Sequence, residues 1–389
     1  MCLGRVACGT AALGCACVCV WHSRPRLCVR LPAHDPAQPG AAVPQVLCPR
    51  RFGMHVVILH NAVLPGDSAA DRDVLVQAEA VGAALAALGH SSATVAWDLD
   101  LRAARDRLAA CRPEVVFNLV ESLGGSDWLA STAAGLLDTM GVPYTGSATE
   151  ALLLTNHKLL AKQWFGQAGL PTPPWVVLDP RRAGGSTLGF PGRGLVPGAA
   201  YVVKTLWEHA SFDLDEHSIV HPADEAGLRT VLRDAAQRLR RPCFAERYIE
   251  GREFNLSVLA GPDGPEVLPP AEIDFSAFPP GKPRIVGQRA KWEEASFEFQ
   301  QTPRRFDFAP ADRPLLDRLR GLAREAWLLF GLGGYARVDF RVDEAGEPWI
   351  LEINANPCLS PDAGFAAALT QASIPFSRAV ARILEDAIR

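Results

Sequence analysis

At 389 residues the chain is too long for one compact core and is sized for two or three domains. Its 48% hydrophobic and 21% charged residues exclude a disordered polymer, and a net charge of −4 gives no reason to expect nucleic-acid binding.

Cysteine usage divides the chain at Met54. Cys2, Cys8, Cys15, Cys17, Cys19, Cys28 and Cys48 precede it and only Cys111, Cys243 and Cys358 follow, so the body has the composition of a reduced, cytosolic protein. The first 53 residues carry six Arg against one Asp. Leu3 to Trp21 is apolar enough for a signal or membrane segment, but Arg5 alone makes its basic start and a Pro- and Arg-rich stretch follows it. The Cys-x-Cys pairs have no second set at zinc spacing. Residues 1–53 are therefore expected to be a dispensable leader or a wrongly assigned start, with targeting as the alternative. No later stretch is apolar for long enough to span a membrane.

From Met54, HVVILH reads as a strand, and Val74, Ala78, Val81, Leu85 and Leu88 recur at helical spacing up to Gly89. The strand SATVAW, a helix around Leu101 to Cys111, the strand EVVFNLV and a helix before Gly141 continue the alternation, which predicts a parallel sheet covered by helices. Ligands of such sheets sit beyond the carboxyl ends of the strands, here Asn61 to Asp73 and the ESLGGSDW loop. Gly124-Gly125 in that loop can admit an anion, but a Gly pair there is more often plain turn chemistry. Neither loop has the Gly-x-Gly-x-x-Gly spacing, and Gly331 to Gly334 lies between a helix and a strand, the wrong order for dinucleotide binding.

In TNHKLLAKQWFGQAGLPTPPW, Thr155 or Asn156 can cap a helix whose inner face is Ala161, Trp164, Phe165 and Ala168, with Gly169 and Pro171 ending it. Lys158 on the first turn opposes the helix dipole, which favours a phosphate partner over a surface role. Arg181 to Ala200, rich in Gly and Pro, reads as a solvent loop leading into the strand YVVK, which ends in Lys204. His209 and His217 read as exposed loop histidines. CFAERYIEGREFNLSVLAG, taken alone, is a polar hairpin.

The most informative segment follows. RVDFRVD alternates apolar Val338, Phe340 and Val342 with Arg337, Asp339, Arg341 and Asp343; DEAGEP is turn-forming, and WILEIN should return antiparallel. Arg337 and Asp339 then share one face, as do Glu352 and Asn354. If the two polar faces coincide, three oxygen donors converge beside one guanidinium. Oxygen donors without thiolate or imidazole suit a hard cation, and Mg²⁺ takes one or two carboxylates plus phosphate oxygens, which implies a nucleotide.

The string from Gly333 to Phe365 closely resembles the C-terminal signature of the D-alanine–D-alanine ligase family within the ATP-grasp enzymes, and the likeness extends over most of the chain from Met54. It implies an α/β (α+β) fold in three parts: an N-terminal parallel-sheet substrate domain over 54–150, a small central domain over 151–245 and a C-terminal antiparallel-sheet domain over 246–389 with the metal site. Lys158 and Lys204 match two lysines that contact ATP phosphates. The loop after Lys204, with Glu208 and Ser211, folds over them but departs from the usual glycine-serine-serine form. Glu246 and the Tyr248-Ile249 strand match the adenine-reading segment, and Glu253 the ribose-binding glutamate. In RAKWEEAS, Lys291 matches a lysine over the phosphates, while Trp292 stands where tyrosine is usual.

The resemblance further implies that Asp339, Glu352 and Asn354 hold Mg²⁺, with Mn²⁺ an allowed substitute, and that Arg337 stabilises the transferring phosphoryl group and the tetrahedral oxyanion. Asp71 corresponds to the acid that holds the first amine. Val120-Glu121 replaces a histidine-glycine pair, and Gly125-Ser126-Asp127 a glycine-glutamate-aspartate run. Ser360 and Asp362 face the acceptor site, Asp362 either holding a substrate ammonium or capping the next helix. The Cys358 thiol, where glycine is usual, reads as incidental. The activity implied is ATP-dependent joining of a carboxylate to an amine through an acyl phosphate, with D-alanine dimerisation for peptidoglycan as the leading version. The rivals are another amino-acid or peptide pair, and an ATP-binding protein without turnover. Partners are small amino acids in the cytoplasm, with no nucleic acid or membrane; a homodimer is allowed but not specified.

Overall fold

A computed structural model of the chain describes residues 53–178, 187–190, 195–207, 211 and 213–389. All of the expected leader but Gly53 lies outside these residues. Among them no helix is long and apolar enough to cross a membrane.

The alternation predicted from Met54 is observed. β1 (His55–Asn61), α1 (Ala69–Ala87), β2 (Ser91–Trp97), α2 (Leu101–Cys111), β3 (Val115–Asn118) and α3 (Ser131–Met140) build a parallel sheet in the order β2-β1-β3. β3 is buried throughout and β1 almost so, as strands covered on both faces must be. α1 turns Val74, Ala78, Val81 and Leu85 inward at the predicted spacing. Gly124 and Gly125 take positive φ in a tight turn closed by Leu123 and Ser126, so the plain-turn reading holds.

Two helices follow, α4 (Thr149–Asn156) and α5 (Lys158–Gln167), where one was expected. Thr155 and Asn156 end α4, and His157 caps α5 by accepting from the Leu160 amide at 3.2 Å. The face of α5 also differs. Ala161 and Phe165 are buried as expected, but Trp164 and Ala168 are exposed and Lys158 and Lys162 take their place inside. The two lysines sit one turn apart on the inward face, where carboxylates from other elements meet them.

The second sheet contains β4 (Trp175–Leu178), β5 (Thr187–Phe190), β6 (Tyr201–Thr205), β7 (Ile219–Val220) and β8 (Cys243–Arg247), antiparallel in the order β5-β4-β8-β6-β7. α6 (Glu225–Leu239) covers it with Leu228, Leu232 and Ala235. The stretch expected as a solvent loop holds β5; 181–186 and 191–194 lie outside the described residues.

The third sheet comprises β9 (Arg252–Leu259), β10 (Glu266–Val267), β11 (Ala271–Ile273), β12 (Arg304–Arg305), β13 (Tyr335–Val342) and β14 (Pro348–Asn354), in the order β12-β11-β9-β13-β14 with β10 also on β9. Between these strands lie the short α7 (Gln288–Trp292) and α8 (Phe297–Gln300) and the long α9 (Arg313–Phe330); α10 (Gly364–Gln371) and α11 (Phe376–Ala387) close the chain. α9 packs Leu319, Ala323, Ala326 and Phe330 against Val338 and Phe340 of β13 and Phe165 of α5, so the apolar core runs without a break under the hairpin that carries the charged residues.

Tyr248 to Gly251 link the second sheet to the third and are not strand, which corrects the expected Tyr248-Ile249 strand. Gly251 sits at φ +138°, and a Cβ there would lie 2.0 Å from the Val342 carbonyl oxygen. Both the left-handed backbone and the close approach demand glycine. Gly251→Ala should destabilise the protein by about 2–3 kcal/mol. Chemical denaturation of both forms would measure it, and unchanged stability would contradict the packing of this link.

Candidate active site

The register of β13 on β14 settles whether the polar faces coincide. Arg337 stands opposite Asn354 and Asp339 opposite Glu352, with a bulge between Asp339 and Phe340 that gives β14 one extra residue, Leu351. Arg337 forks onto Asp339 through Nε and Nη2, both at 2.8 Å, and Asn255 of β9 donates to Asp339 at 2.8 Å. Burial opposes the Arg337 charge, but Asp339 and Glu352 outweigh it and hold its pKa above the ordinary value. The Asn354 side-chain oxygen accepts the Asn356 amide at 3.0 Å, which fixes its orientation.

Lysines reach this hairpin from α5 and β6. Lys158 Nζ lies 3.0 Å from Glu352 Oε2 and is nearly buried. Lys204 bonds Glu246 of β8, whose other oxygen lies 2.7 Å from the buried Lys162. Glu246 is thus clamped between two cations and kept ionised: burial would raise its pKa, but Lys162 and Lys204 lower it. Burial likewise opposes the charge on Lys204, yet Glu246 and Glu352 raise its pKa. Glu253 accepts from the buried Arg341 at 3.1 Å, and Arg341 also donates to the Ile249 carbonyl at 2.9 Å and to the Tyr248 hydroxyl at 3.3 Å. Burial pushes the Tyr248 phenol up to about 12, so it stays a neutral partner. Ser211, at φ +59°, donates its hydroxyl to the Val286 carbonyl at 2.7 Å and so pins the end of the loop after β6 to the segment before α7. Glu208 and His209 lie outside the described residues; His217 is exposed, as expected.

Lys291 and Trp292 come from a helical turn, α7, at the wall of the same cavity. Burial and the nearby Arg337 push the Lys291 ammonium below its usual pKa, against Glu352 and Asp339. The cavity, about 490 Å³, takes in Lys158, Lys204, Glu253, Arg337, Asp339, Glu352 and Asn354 and continues to Asp71, Asp73, Glu121, Arg304 and Asp362.

At that far end the structure redistributes the expected roles. Asp71 lines the cavity, but its carboxylate closes a capping box with Ser68 at the start of α1. Asp73 makes the contacts across the cleft, accepting from the buried Ser360 at 2.7 Å and from Cys358 at 2.9 Å, and it also accepts from Gln77, one turn along α1, at 3.2 Å. Gln77 also donates to Glu121 at 2.8 Å and accepts the Leu359 amide at 3.0 Å. Burial, with Asp73 and Asp127 beside it, raises the Glu121 pKa to about 7. Burial and then Glu121 push the Cys358 thiol far above its ordinary range, so it stays protonated and is no nucleophile. Asp362 does not cap α10: Ala363 is the N-cap and offers no side-chain bond. Arg304 donates to the Asp362 carbonyl at 3.3 Å and forms no ion pair among the described residues.

Residues 218–385 match the model of the D-alanine–D-alanine ligase C-terminus. A D-alanine–D-alanine ligase from Synechococcus sp. (strain JA-2-3B'a(2-13)) is 32% identical over 334 residues, covering 85% of this chain and 94% of that protein. The chain belongs to the D-alanine–D-alanine ligase family. A D-alanine–D-alanine ligase of Moorella thermoacetica is 31% identical, covering 79% and 94% of the two chains. The fold is that of the D-alanine–D-alanine ligase of Bacillus anthracis solved with ATP, with a TM-score of 0.64 at 20% identity over 87% of this chain and 98% of that one. The protein is therefore a D-alanine–D-alanine-ligase-like enzyme of the ATP-dependent ligase type.

The residues that family resemblance singled out along β6, β8, β9, β13 and β14 meet in one cavity. Lys162, Asn255, Arg341, Asp73, Gln77 and Arg304 were missed. Lys162 had a signal, being one turn from Lys158, and Asp73 and Gln77 lie on the helix whose start was named as a ligand loop. Nothing local marked Asn255, Arg341 or Arg304.

The raised Glu121 pKa has a thermodynamic consequence. A carboxyl whose pKa is higher folded than unfolded stabilises the fold below its ordinary value and loses that contribution as pH rises through the folded value, here from 4.5 to about 7. Relative to Glu121→Gln, the parent should therefore lose about 2 kcal/mol between pH 5 and pH 8. Urea denaturation at both pH values tests this; a difference that does not change with pH would refute the burial of this carboxylate.

Proposed function

We propose that the cleft joins a carboxylate to an amine at the expense of ATP, and that the opposition of Arg337–Asn354 and Asp339–Glu352 within reach of Lys158 and Lys204 carries this reading. A substrate carboxylate attacks the γ-phosphorus, ADP leaves, and an acyl phosphate forms. The amine then attacks its carbonyl carbon, inorganic phosphate departs, and the nitrogen gives up a proton. Lys158, Lys204 and Lys291 face the triphosphate as its counter-charges. Arg337, held by its fork on Asp339, stabilises charge on the transferring phosphoryl group and on the oxyanion. Glu253, fixed by Arg341, accepts from the ribose, and the Tyr248-Ile249 link borders the base.

The donor set fits Mg²⁺ or Mn²⁺. Asp339, Glu352 and Asn354 offer oxygen only, and two carboxylates without a closed protein cage are what Mg²⁺ takes beside phosphate. When bound, the ion neutralises phosphate charge that the lysines leave uncompensated. The chain's own cations now balance these carboxylates, Arg337 on Asp339 and Lys158 on Glu352, and lone pairs remain on both.

D-alanine, for peptidoglycan precursor synthesis, is the leading substrate. Asp73 and Glu121 offer carboxylates for an ammonium, and Arg304 is a cation for a substrate carboxylate. Glu121, Trp292 and Cys358 line the cavity and differ from the residues usual in the family, which favours D-alanine used with poor affinity or beside another small amine. The three described cysteines are free thiols, in keeping with the cytoplasm, where ATP is available.

Phosphate release assayed with D-alanine alone, L-alanine alone and mixed amino acids, with the dipeptide identified by mass, decides the substrate. Inactivity with D-alanine beside robust activity with another pair would remove the cell-wall assignment. Asp339→Asn and Glu352→Gln should each lower turnover by about a hundredfold or more, since several kcal/mol of transition-state stabilisation is lost. Near-normal rates with Mg²⁺ in both variants would end the metal-site reading.

A further inference from the structure

Glu246 lines the cleft but is 1% exposed, because Lys204 is bonded to it on one side and Lys162 lies against it on the other. Its second neighbour, Lys162, is also 1% exposed, so it cannot touch a ligand in the cavity. The 2.7 Å approach between them is an ion pair rather than a well-angled hydrogen bond. Lys162 does donate to Thr172 Oγ1 at 3.0 Å, and Thr172 donates onward to the Ile350 carbonyl of β14 at 2.9 Å. The Ile350 amide returns to the Pro171 carbonyl at 2.8 Å. A continuous polar chain thus runs from Lys204 through Glu246, Lys162 and Thr172 to the strand that carries Glu352.

Burying an ammonium costs several kcal/mol unless it is compensated, so a lysine that reaches no solvent and no ligand needs a reason to be there. The charges supply one. Glu246 alone against Lys204 would make a neutral pair, leaving that pair no net charge to offer a triphosphate. Lys162, Glu246 and Lys204 together carry a net positive charge, and Lys204, 18% exposed at its side chain against 2% for Glu246, is the member most open to the cavity. Burial pushes the Lys162 pKa down, but Glu246 opposes that and favours the ammonium.

We infer that Lys162 is a positioning residue: by neutralising Glu246 from beneath, it leaves the charge of Lys204 available to the nucleotide phosphates, and through Thr172 it sets that lysine's support against the strand of Glu352. The inference rests on the reading of the cleft as an ATP site, and it assigns binding strength to a side chain that never meets the ligand.

The test is a double-mutant cycle on the full chain, with ADP and ATP as calorimetric probes and steady-state KM values for ATP and the amino acid. Lys162→Met should raise the ADP and ATP dissociation constants about tenfold and the KM for ATP in proportion, with little change in the KM for the amino acid. In a Glu246→Gln background, where there is no carboxylate to neutralise, the same substitution should change nucleotide affinity less than about twofold. A merely structural lysine predicts equal losses in both backgrounds, and that result, or parent-like affinity in Lys162→Met, overturns the inference. If Lys162→Met does not fold, Lys162→Gln removes the charge while keeping a donor for Thr172 and is read in the same way. A parent that binds neither nucleotide would instead refute the ATP site itself.

Discussion

The constraint on which this cleft depends is charge compensation. A site for a triphosphate must collect cations, yet two unit charges 4 Å apart repel by about 4 kcal/mol near a protein surface, and burial adds to the cost. Carboxylates placed among the cations resolve the conflict. Asp339 takes the fork of Arg337, Glu352 takes Lys158, and Glu246 is shared by Lys162 and Lys204. Two of those carboxylates, Asp339 and Glu352, are also the proposed metal ligands. The same groups therefore hold the fold in the absence of ligand and would exchange partners in its presence. Lys291 is the exception, since burial and Arg337 depress its pKa and no carboxylate fully offsets them. It sits on the five-residue helix α7, whose first amide, that of Gln288, donates to the Leu214 carbonyl at 2.8 Å.

Those pairings require two sheets and α5 to meet closely, and backbone contacts help to provide this. Gly251 lets the link from β8 to β9 pass against the Val342 carbonyl, at the far end of β13 from Arg337. Gly287 allows an equally close approach, since a Cβ there would meet the Leu214 carbonyl oxygen at 2.3 Å, and Ser211 donates to Val286 beside it. Arg341 then ties Glu253, the Ile249 carbonyl and the Tyr248 hydroxyl to β13. The proposed ribose and base side is thus anchored to the strand of Arg337 and Asp339.

What was legible in the sequence follows from how local each signal is. Period-two alternation over Arg337 to Asp343 and the turn-forming DEAGEP specify a hairpin, and the facing polar residues come with it. Helical spacing from Val74 to Leu85 and the alternation of elements around it specify a covered parallel sheet. Features that depend on distant partners were not legible. The inward face of α5 looked apolar because Trp164 and Ala168 are hydrophobic, but Lys158 and Lys162 displaced them once Glu352 and Glu246 arrived from elements far along the chain. Burial of a lysine is decided by its counter-ion, and propensity carries no trace of one. The break at His157 was missed for a smaller reason: an imidazole as N-cap lies outside the usual Ser, Thr, Asp and Asn.

The two ends of the cavity are built on different principles, and this bears on how the enzyme could change substrate without losing its chemistry. At the proposed phosphate end, Arg337, Asp339, Glu352, Lys158 and Lys204 are each held in an ion pair, so a substitution there disturbs the fold as well as ligand binding. At the acceptor end, the contacts join α1 to the chain after β14: Asp73 to Ser360 and Cys358, and Gln77 to both Glu121 and the Leu359 amide. These side chains reach across the cleft from a helix turn and a loop rather than along one sheet. Asp71, tied up in capping α1, leaves Asp73, two residues further along the same helix, to make the cross-cleft bonds. Because discrimination by buried hydrogen-bonding groups far exceeds that by apolar fit, the proposed acceptor end is where a change of amine would be read while Arg337, Asp339 and Glu352 remain as they are.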